Sequence, residues 1–511
     1  MNKPAMPGRR QLTRNIWTSW VGYGLRIIIS FFFVPYITSV LGDARYGVWV
    51  LVFQTVNYFV LLDFGLEKAL LRFISKHVGA DRFEPINRVI NTTFTLYLVI
   101  GSSIIAGAWL ASTFLFDFFK ISDPDFLSEG RTALIIIGFY MGFRFYLLPF
   151  AGSLGGFQRF DISNLLHMLE DLLRTVVMVA LLANGYGLVS LALVILGMST
   201  LKQLAGIIWL KRLHPEVRFA PGAADRATAR ELFNYSRITF GITVAWLVIF
   251  NTDAVLLGLL VSSSAAGIYA PGAQLMLYLR NAVNVVASPL TTAASEREAR
   301  GDMEGVRRLY LKGLRYTSFL SFFMATGVII YARPFVALWL EPEFAQSAEV
   351  MRILAVSAAF FIPQIVGNAV LFGIDRHGLL FRVLLAESGL KIILSFLLIP
   401  AHGLIGMAYA AAIPQLVLYL TLYPALISRA LKISTSASLM TTVRSGFLAM
   451  FVSLPCAVLM RWAVPPLNWP AFGANVVAVS LAASVAAWFV LLPEDRSRTP
   501  FHRQSTQRPL P

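Results

Sequence analysis

The chain has a single cysteine, Cys456, among its 511 residues. It lies in an apolar run, so no disulfide can form within the chain and no cysteine-based metal site exists. Histidine is also scarce, with six residues scattered along the sequence. None of them belongs to an H-E-x-x-H or Cys/His ligand pattern, so no metal centre is expected. Charge is thin: Asp, Glu, Lys and Arg make up 14% of the residues, where a soluble domain carries about 25%. No G-x-x-x-x-G-K-[ST] loop is present, which excludes ATP hydrolysis by the usual phosphate cradle. No long loop presents paired carboxylates or a His/Arg set. Catalysis therefore has no visible home, and no cofactor is implied.

Apolar sequence is what the chain has in abundance. Hydrophobic residues make up 57% of it. A membrane-spanning helix needs about 20 consecutive apolar residues, and about fourteen such runs can be read. They lie near 14–40, 46–71, 89–114, 132–154, 163–184, 187–210, 233–261, 265–293, 314–339, 348–373, 379–400, 403–428, 444–464 and 471–492. The sequence therefore predicts an all-α polytopic membrane protein. The first run is too long for a signal-peptide core and lacks a small-residue cleavage pattern, so it is expected to be retained.

The net charge of +16 has a plain explanation in such a protein, because Lys and Arg gather in cytoplasmic loops. One set of loops carries Arg9, Arg10 and Arg14, then Arg82 and Arg88, Lys211 and Arg212, Arg307 and Arg308, Arg376 and Arg429. The alternate set is poor in Lys and Arg and includes the acidic 117–129 loop. The alternation predicts cytoplasmic termini, a bacterial inner-membrane setting and no nucleic-acid partner. The polar, Arg/Pro-rich tail at 494–511 is expected to be disordered.

Weak internal similarity recurs at an offset of about 220 residues. Arg45-Tyr-Gly47-Val-Trp resembles Ala266-Gly267-Ile-Tyr, and Gly185-Tyr-Gly187-Leu188 resembles Ala401-His-Gly403-Leu404. Six spans per unit keep both copies in one orientation. The expected layout is a six-helix half at 1–212, a second at 213–432 and two additional helices at 433–493. A pseudo-two-fold along the membrane normal would relate the halves, with the substrate path between them.

Charges inside spans are the candidate site residues. A mid-span cation costs roughly 2.5–3.5 kcal/mol on insertion scales, so it needs a partner, a water-filled cavity or a function. Arg26 follows Gly22 and Gly24, with Pro35 beyond as a place to bend. It either lines an anion-attracting cavity or pairs with a carboxylate on a neighbouring helix. Arg280, beside Asn281 and Asn284, poses the same choice, with Asp253 as a possible partner. Arg144 either faces that cavity or ends a half-span. Glu170, Asp171 and Arg174 lie within one turn of a helix, as do Glu387 and Lys391, so their side chains meet on one face. They serve as self-neutralising pairs, or as carriers of a proton or of a base released to an anionic ligand. His167, a turn before Asp171, suits a proton role or a structural one. Asp63, with Glu67 and Lys68, reads as a packing or gating constellation. Asp253, alone in an apolar stretch, is expected to partner an Arg.

The stretch from Leu41-Gly-Asp-Ala-Arg-Tyr-Gly47-Val-Trp to Leu61-Leu-Asp63-Phe-Gly65-Leu-Glu resembles the opening of bacterial polysaccharide flippases. These are the Wzx-type O-antigen and exopolysaccharide transporters of the multidrug/oligosaccharidyl-lipid/polysaccharide superfamily. Gly156-Phe-Gln-Arg159 and Asn251-Thr-Asp253 resemble further segments of that family. The resemblance implies a lipid-linked oligosaccharide substrate on undecaprenyl diphosphate, moved between leaflets by alternating access. It also implies pathway partners such as a polymerase and chain-length proteins, and allows coupling to a proton or sodium gradient. Arg26, Arg280 and Arg144 would meet the diphosphate, with Arg26 facing Arg280 across the gap between halves. Asp63, His167, Asp171 and Glu387 would carry the coupling. The rival readings are a lipid II flippase, a multidrug exporter, which should present acid rather than arginine, and a membrane polymerase or ligase, which should carry a long outward loop.

Overall fold

A computed structural model describes residues 9–78, 83–121, 123–157, 159–220, 224–287 and 289–491. Among the described residues the chain is helical throughout, with no strand. The order is α1 (Arg9–Tyr58), α2 (Leu66–Val78), α3 (Phe83–Leu110), α4 (Pro124–Ala151), the single turn α5 (Ser153–Gly156), α6 (Phe160–Ala183), α7 (Leu188–Leu213), α8 (Arg226–Leu260) and α9 (Ser263–Ala287). Then follow α10 (Pro289–Ala299), α11 (Met303–Trp339), α12 (Ser347–Phe361), α13 (Ile365–Gly373), α14 (Gly378–Leu420), α15 (Leu422–Leu431), α16 (Thr435–Ala463) and α17 (Trp469–Leu491).

Every apolar run read from the sequence is helical, but the breaks between runs differ. Among the described residues, nine helical stretches are long and apolar enough to cross a membrane, because two of them contain two expected spans each and α6, α9 and α17 fall short. Gly42 adopts φ 72° inside α1 and joins the first two spans through one left-handed residue. The bend expected at Pro35 thus falls at Gly42. The second expected span breaks again at Phe64 and Gly65, with φ 49° and 77°. Gly403, at φ 57°, likewise joins two spans within α14, whereas the corresponding α6–α7 connection opens into a turn at Gly185. Glycine carries these angles without the Cβ penalty of other residues. Asparagine-like side-chain chemistry starts other helices: Asp225 accepts hydrogen bonds from the amides of Ala227 and Thr228 at the head of α8, and Asp302 accepts from Gly305 at the head of α11. Such caps satisfy amides that have no partner within the helix.

The described chain forms two units, which divide between Ala270 and Pro271. The division falls inside α9, and α8 packs on α1, α2 and α3. In the first unit, α3 and α4 meet through small residues. A Cβ on Gly101 would lie 2.5 Å from the carbonyl oxygen of Gly142, and one on Gly138 would lie 2.0 Å from the Cβ of Ala108. Membrane helices associate by such close backbone approach, since lipid offers no hydrophobic drive for helices to meet. In the second unit, α11 packs on α12 and α16, and α17 lies on α16. The Tyr331 hydroxyl sits 3.0 Å from the Ala457 carbonyl and 2.9 Å from Asn475 Oδ1, which ties α11 to both. The two helices expected as an addition at 433–493 are therefore part of the second unit. The 494–511 tail lies outside the described residues.

Candidate functional site

In the first unit the charged residues of α1, α6 and α7 converge. Arg26 Nε donates to Asp171 Oδ2 at 2.8 Å, across 145 positions of sequence. Arg174 reaches Asp171 at 2.7 Å and Glu170 at 3.3 Å from one turn further along α6. Lys202 Nζ of α7 lies 2.7 Å from Glu170, which also accepts from the Ser199 hydroxyl. His167 Nδ1 is 3.9 Å from Glu170 and 3.5 Å from Lys202. Arg26 has a carboxylate partner, and its side chain is 53% exposed while that of Asp171 is 12% exposed. The internal pairing expected of Glu170, Asp171 and Arg174 is present but is one part of a three-helix network. α6 is less apolar than its neighbours because of these charges and falls outside the nine stretches noted above.

Lys202 escaped the sequence reading. Its signal was available, because a lone Lys in the apolar run 187–210 raises the same question as Arg26.

A second constellation joins α3 and α4 to the chain between α1 and α2. Tyr97 donates to Asp63, whose carboxylate also accepts from the Glu67 amide at 3.2 Å. Arg144 lies 4.0 Å from Glu67 and is 27% exposed. Arg144 sits well inside α4 and does not end a half-span. The side chain of Lys68 lies outside the described residues. Asp253 accepts from the Tyr269 hydroxyl at 2.7 Å, and Tyr58 donates to Thr252 beside it at 2.9 Å.

In the second unit, Glu387 and Lys391 are 1% and 2% exposed. Around the carboxylate gather Gln415, Lys391, Tyr419 and Arg280. Neither Glu387 oxygen makes a hydrogen bond of good geometry, although the Gln415 amide and the Tyr419 hydroxyl stand close to the carboxylate. Ser357 donates to Gln415 at 3.0 Å, and the rings of Tyr419 and Tyr423 stack at 5.2 Å. Glu387 and Lys391 are thus enclosed, whereas Arg26 is half exposed.

One end of the first unit is sealed by glycine. A Cβ on Gly47 would lie 1.8 Å from the carbonyl oxygen of Ser263, and one on Gly267 would lie 2.4 Å from that of Asp43. Asp43 also accepts from the Ser264 hydroxyl. Nearby, the backbone of Lys120 donates to Gly258 at 2.9 Å and accepts from Ser263 at 3.2 Å. Arg45 grips Glu129 through two nitrogens.

The described residues form a bundle of long, membrane-length helices with cation-rich clusters. Its fold is that of the MOP superfamily. The chain is similar in structure to the lipid II flippase MurJ in an inward closed conformation, with TM-score 0.72, 13% identity and coverage of 92% of this chain and 97% of that one. It is also similar to an inward-facing MATE-family multidrug resistance transporter of the MOP superfamily, with TM-score 0.62, 13% identity and coverage of 79% and 95%. At such identities the likeness concerns the fold. In sequence, residues 12–294 match the family described as polysaccharide biosynthesis protein, and the chain belongs to that family. An uncharacterized membrane protein, EpsK, of Bacillus subtilis is 23% identical over 95% of this chain and 96% of its own length. The probable flippase AglR of Haloferax volcanii is 24% identical over 96% of both. Names of flippases and transporters fit a chain that is not an enzyme.

Proposed function

We propose that the protein is a flippase that carries an undecaprenyl-diphosphate-linked oligosaccharide from the cytoplasmic to the outer leaflet of a bacterial inner membrane. It would work by alternating access and serve O-antigen, capsule or exopolysaccharide synthesis. The observation that carries this reading is the half-exposed Arg26, gathered with Arg174 and Lys202 around two carboxylates. A diphosphate leaving water needs compensating cations, and guanidinium groups bind phosphate oxygens in pairs. The names of AglR and of a second relative, the probable low-salt glycan biosynthesis flippase Agl15, support a glycan cargo. Coupling to protons or sodium, through Asp63, His167, Asp171 or Glu387, and cytoplasmic termini are part of the same proposal. So are a pathway polymerase and chain-length proteins as partners.

Deletion of the gene should remove surface polysaccharide and leave lipid-linked repeat units in the membrane. Restoring the gene with Arg26→Ala or Arg280→Ala should recover surface polysaccharide at about one tenth of the wild-type level or less, the loss of one good charge-assisted contact. Arg26→Lys should recover more, since it keeps the charge and loses the fork. Full recovery by Arg26→Ala would remove that residue from the mechanism. Arrest of wall synthesis on depletion, with surface polysaccharide intact, would instead favour a lipid II cargo.

A further inference from the structure

Glu170 and Asp171 stand side by side on α6 and bind the cations of three helices. Asp171 holds Arg26 at 2.8 Å and Arg174 at 2.7 Å, while Glu170 holds Lys202 at 2.7 Å and Arg174 at 3.3 Å. Three properties exceed what neutralising a helix for insertion requires. Among the described residues of the cluster, cations outnumber carboxylates. The guanidinium groups are the open partners, with Arg26 53% and Arg174 31% exposed, whereas Glu170 and Asp171 are 4% and 12% exposed. And two adjacent carboxylates offer the surrounding donors two anionic groups at neighbouring positions, as a diphosphate does with its two phosphoryl groups.

We propose that Glu170 and Asp171 are built-in occupants of an anion site, which keep Arg26, Arg174 and Lys202 gathered until a diphosphate displaces Asp171 from Arg26. This inference rests on the diphosphate reading above and adds how the empty site is held. The two acids differ in role. Glu170 is the more enclosed and is fixed by Ser199, Lys202 and Arg174. Asp171 shares its charge with the open Arg26, so it is the exchangeable one. Displacing it leaves Arg174 as its partner, which sits on the same helix and moves with it. Without the two acids, the clustered cations would repel one another in a low-dielectric setting. With them, the site is assembled but already filled, so cargo must compete for it.

The test uses the full-length protein in detergent or nanodiscs, with inorganic pyrophosphate as probe. Binding is read by titration calorimetry and by the shift in thermal midpoint. Asp171→Asn should lower the midpoint of the free protein yet bind pyrophosphate about tenfold more tightly, with a larger stabilising shift. Asp171→Glu, which keeps the competitor, should bind like wild type. Arg26→Ala and Lys202→Ala should bind about tenfold more weakly or worse. Wild-type or weaker binding by Asp171→Asn, with the loss on Arg26→Ala intact, would overturn the competitor role and leave the diphosphate reading standing. No binding to either wild type or Asp171→Asn, or binding indifferent to Arg26→Ala, would overturn both.

Discussion

Gly47→Ala should destabilise the protein by about 1–3 kcal/mol, the usual cost of overfilling a packed contact. Gly197→Ala should be neutral or slightly stabilising. The new methyl at position 47 would sit 1.8 Å from the Ser263 carbonyl oxygen, a backbone atom that no rotamer change can move aside. Relief requires the whole turn at 43–47 to part from the head of α9. Gly267→Ala meets the mirror problem against the Asp43 carbonyl at 2.4 Å. Gly197 has nothing within 4 Å of its would-be Cβ, and alanine is the better helix former by up to about 1 kcal/mol. Thermal unfolding in detergent checks the three variants side by side. Restoration of surface polysaccharide, normalised to membrane protein level, then shows whether the close contact also matters for transport. A wild-type midpoint for both Gly47→Ala and Gly267→Ala would mean that the contact yields easily.

Glu387→Ala should be worse, by about 3–5 kcal/mol, the cost of breaking a buried ion pair and leaving charge behind. The residue is 1% exposed, and its carboxylate faces both Arg280 and Lys391, itself 2% exposed. Glu387→Gln should cost less, because its amide keeps the shape and places a polar group beside Tyr419 and Gln415. The double variant Glu387→Ala with Lys391→Met should recover part of the loss by removing one of the stranded cations. That recovery is a coupling energy, measurable as a double-mutant cycle in thermal midpoint or in protein level in the membrane. Strict additivity would show that Glu387 and Lys391 are held by other groups. In the first unit the equivalent change, Asp171→Ala, should cost less, because Arg26 retains access to solvent or ligand.

The spans were legible because a membrane helix must hold a long apolar run, and each run read from the sequence is helical. The breaks were less so. Proline is the usual suspect for a kink, yet α1 bends at Gly42, where the need is a positive φ, a property of the backbone that hydropathy does not record. Residues in one turn of helix were also legible: Glu170, Asp171 and Arg174 share a face by spacing alone. Their partners were not, because Arg26 and Lys202 come from helices 145 and about 30 positions away, and no period links them. Asp253 was legible as a buried acid in an apolar run, but its tyrosine donor, one helix on at 2.7 Å, was not.

The Gly47–Gly267 contact is also reciprocal. Gly47 presses toward the carbonyl of Ser263, and Gly267 presses toward that of Asp43. Each pair of equivalent positions, 43 with 263 and 47 with 267, is separated by the same stretch of sequence, so residue i touches j′ while j touches i′. That reciprocity is the mark of an isologous interface between identical subunits. Two segments of one polypeptide here meet as the two sides of a symmetric dimer interface do. Gly47→Ala and Gly267→Ala should therefore cost about the same, as one substitution does when it is met twice across a two-fold axis.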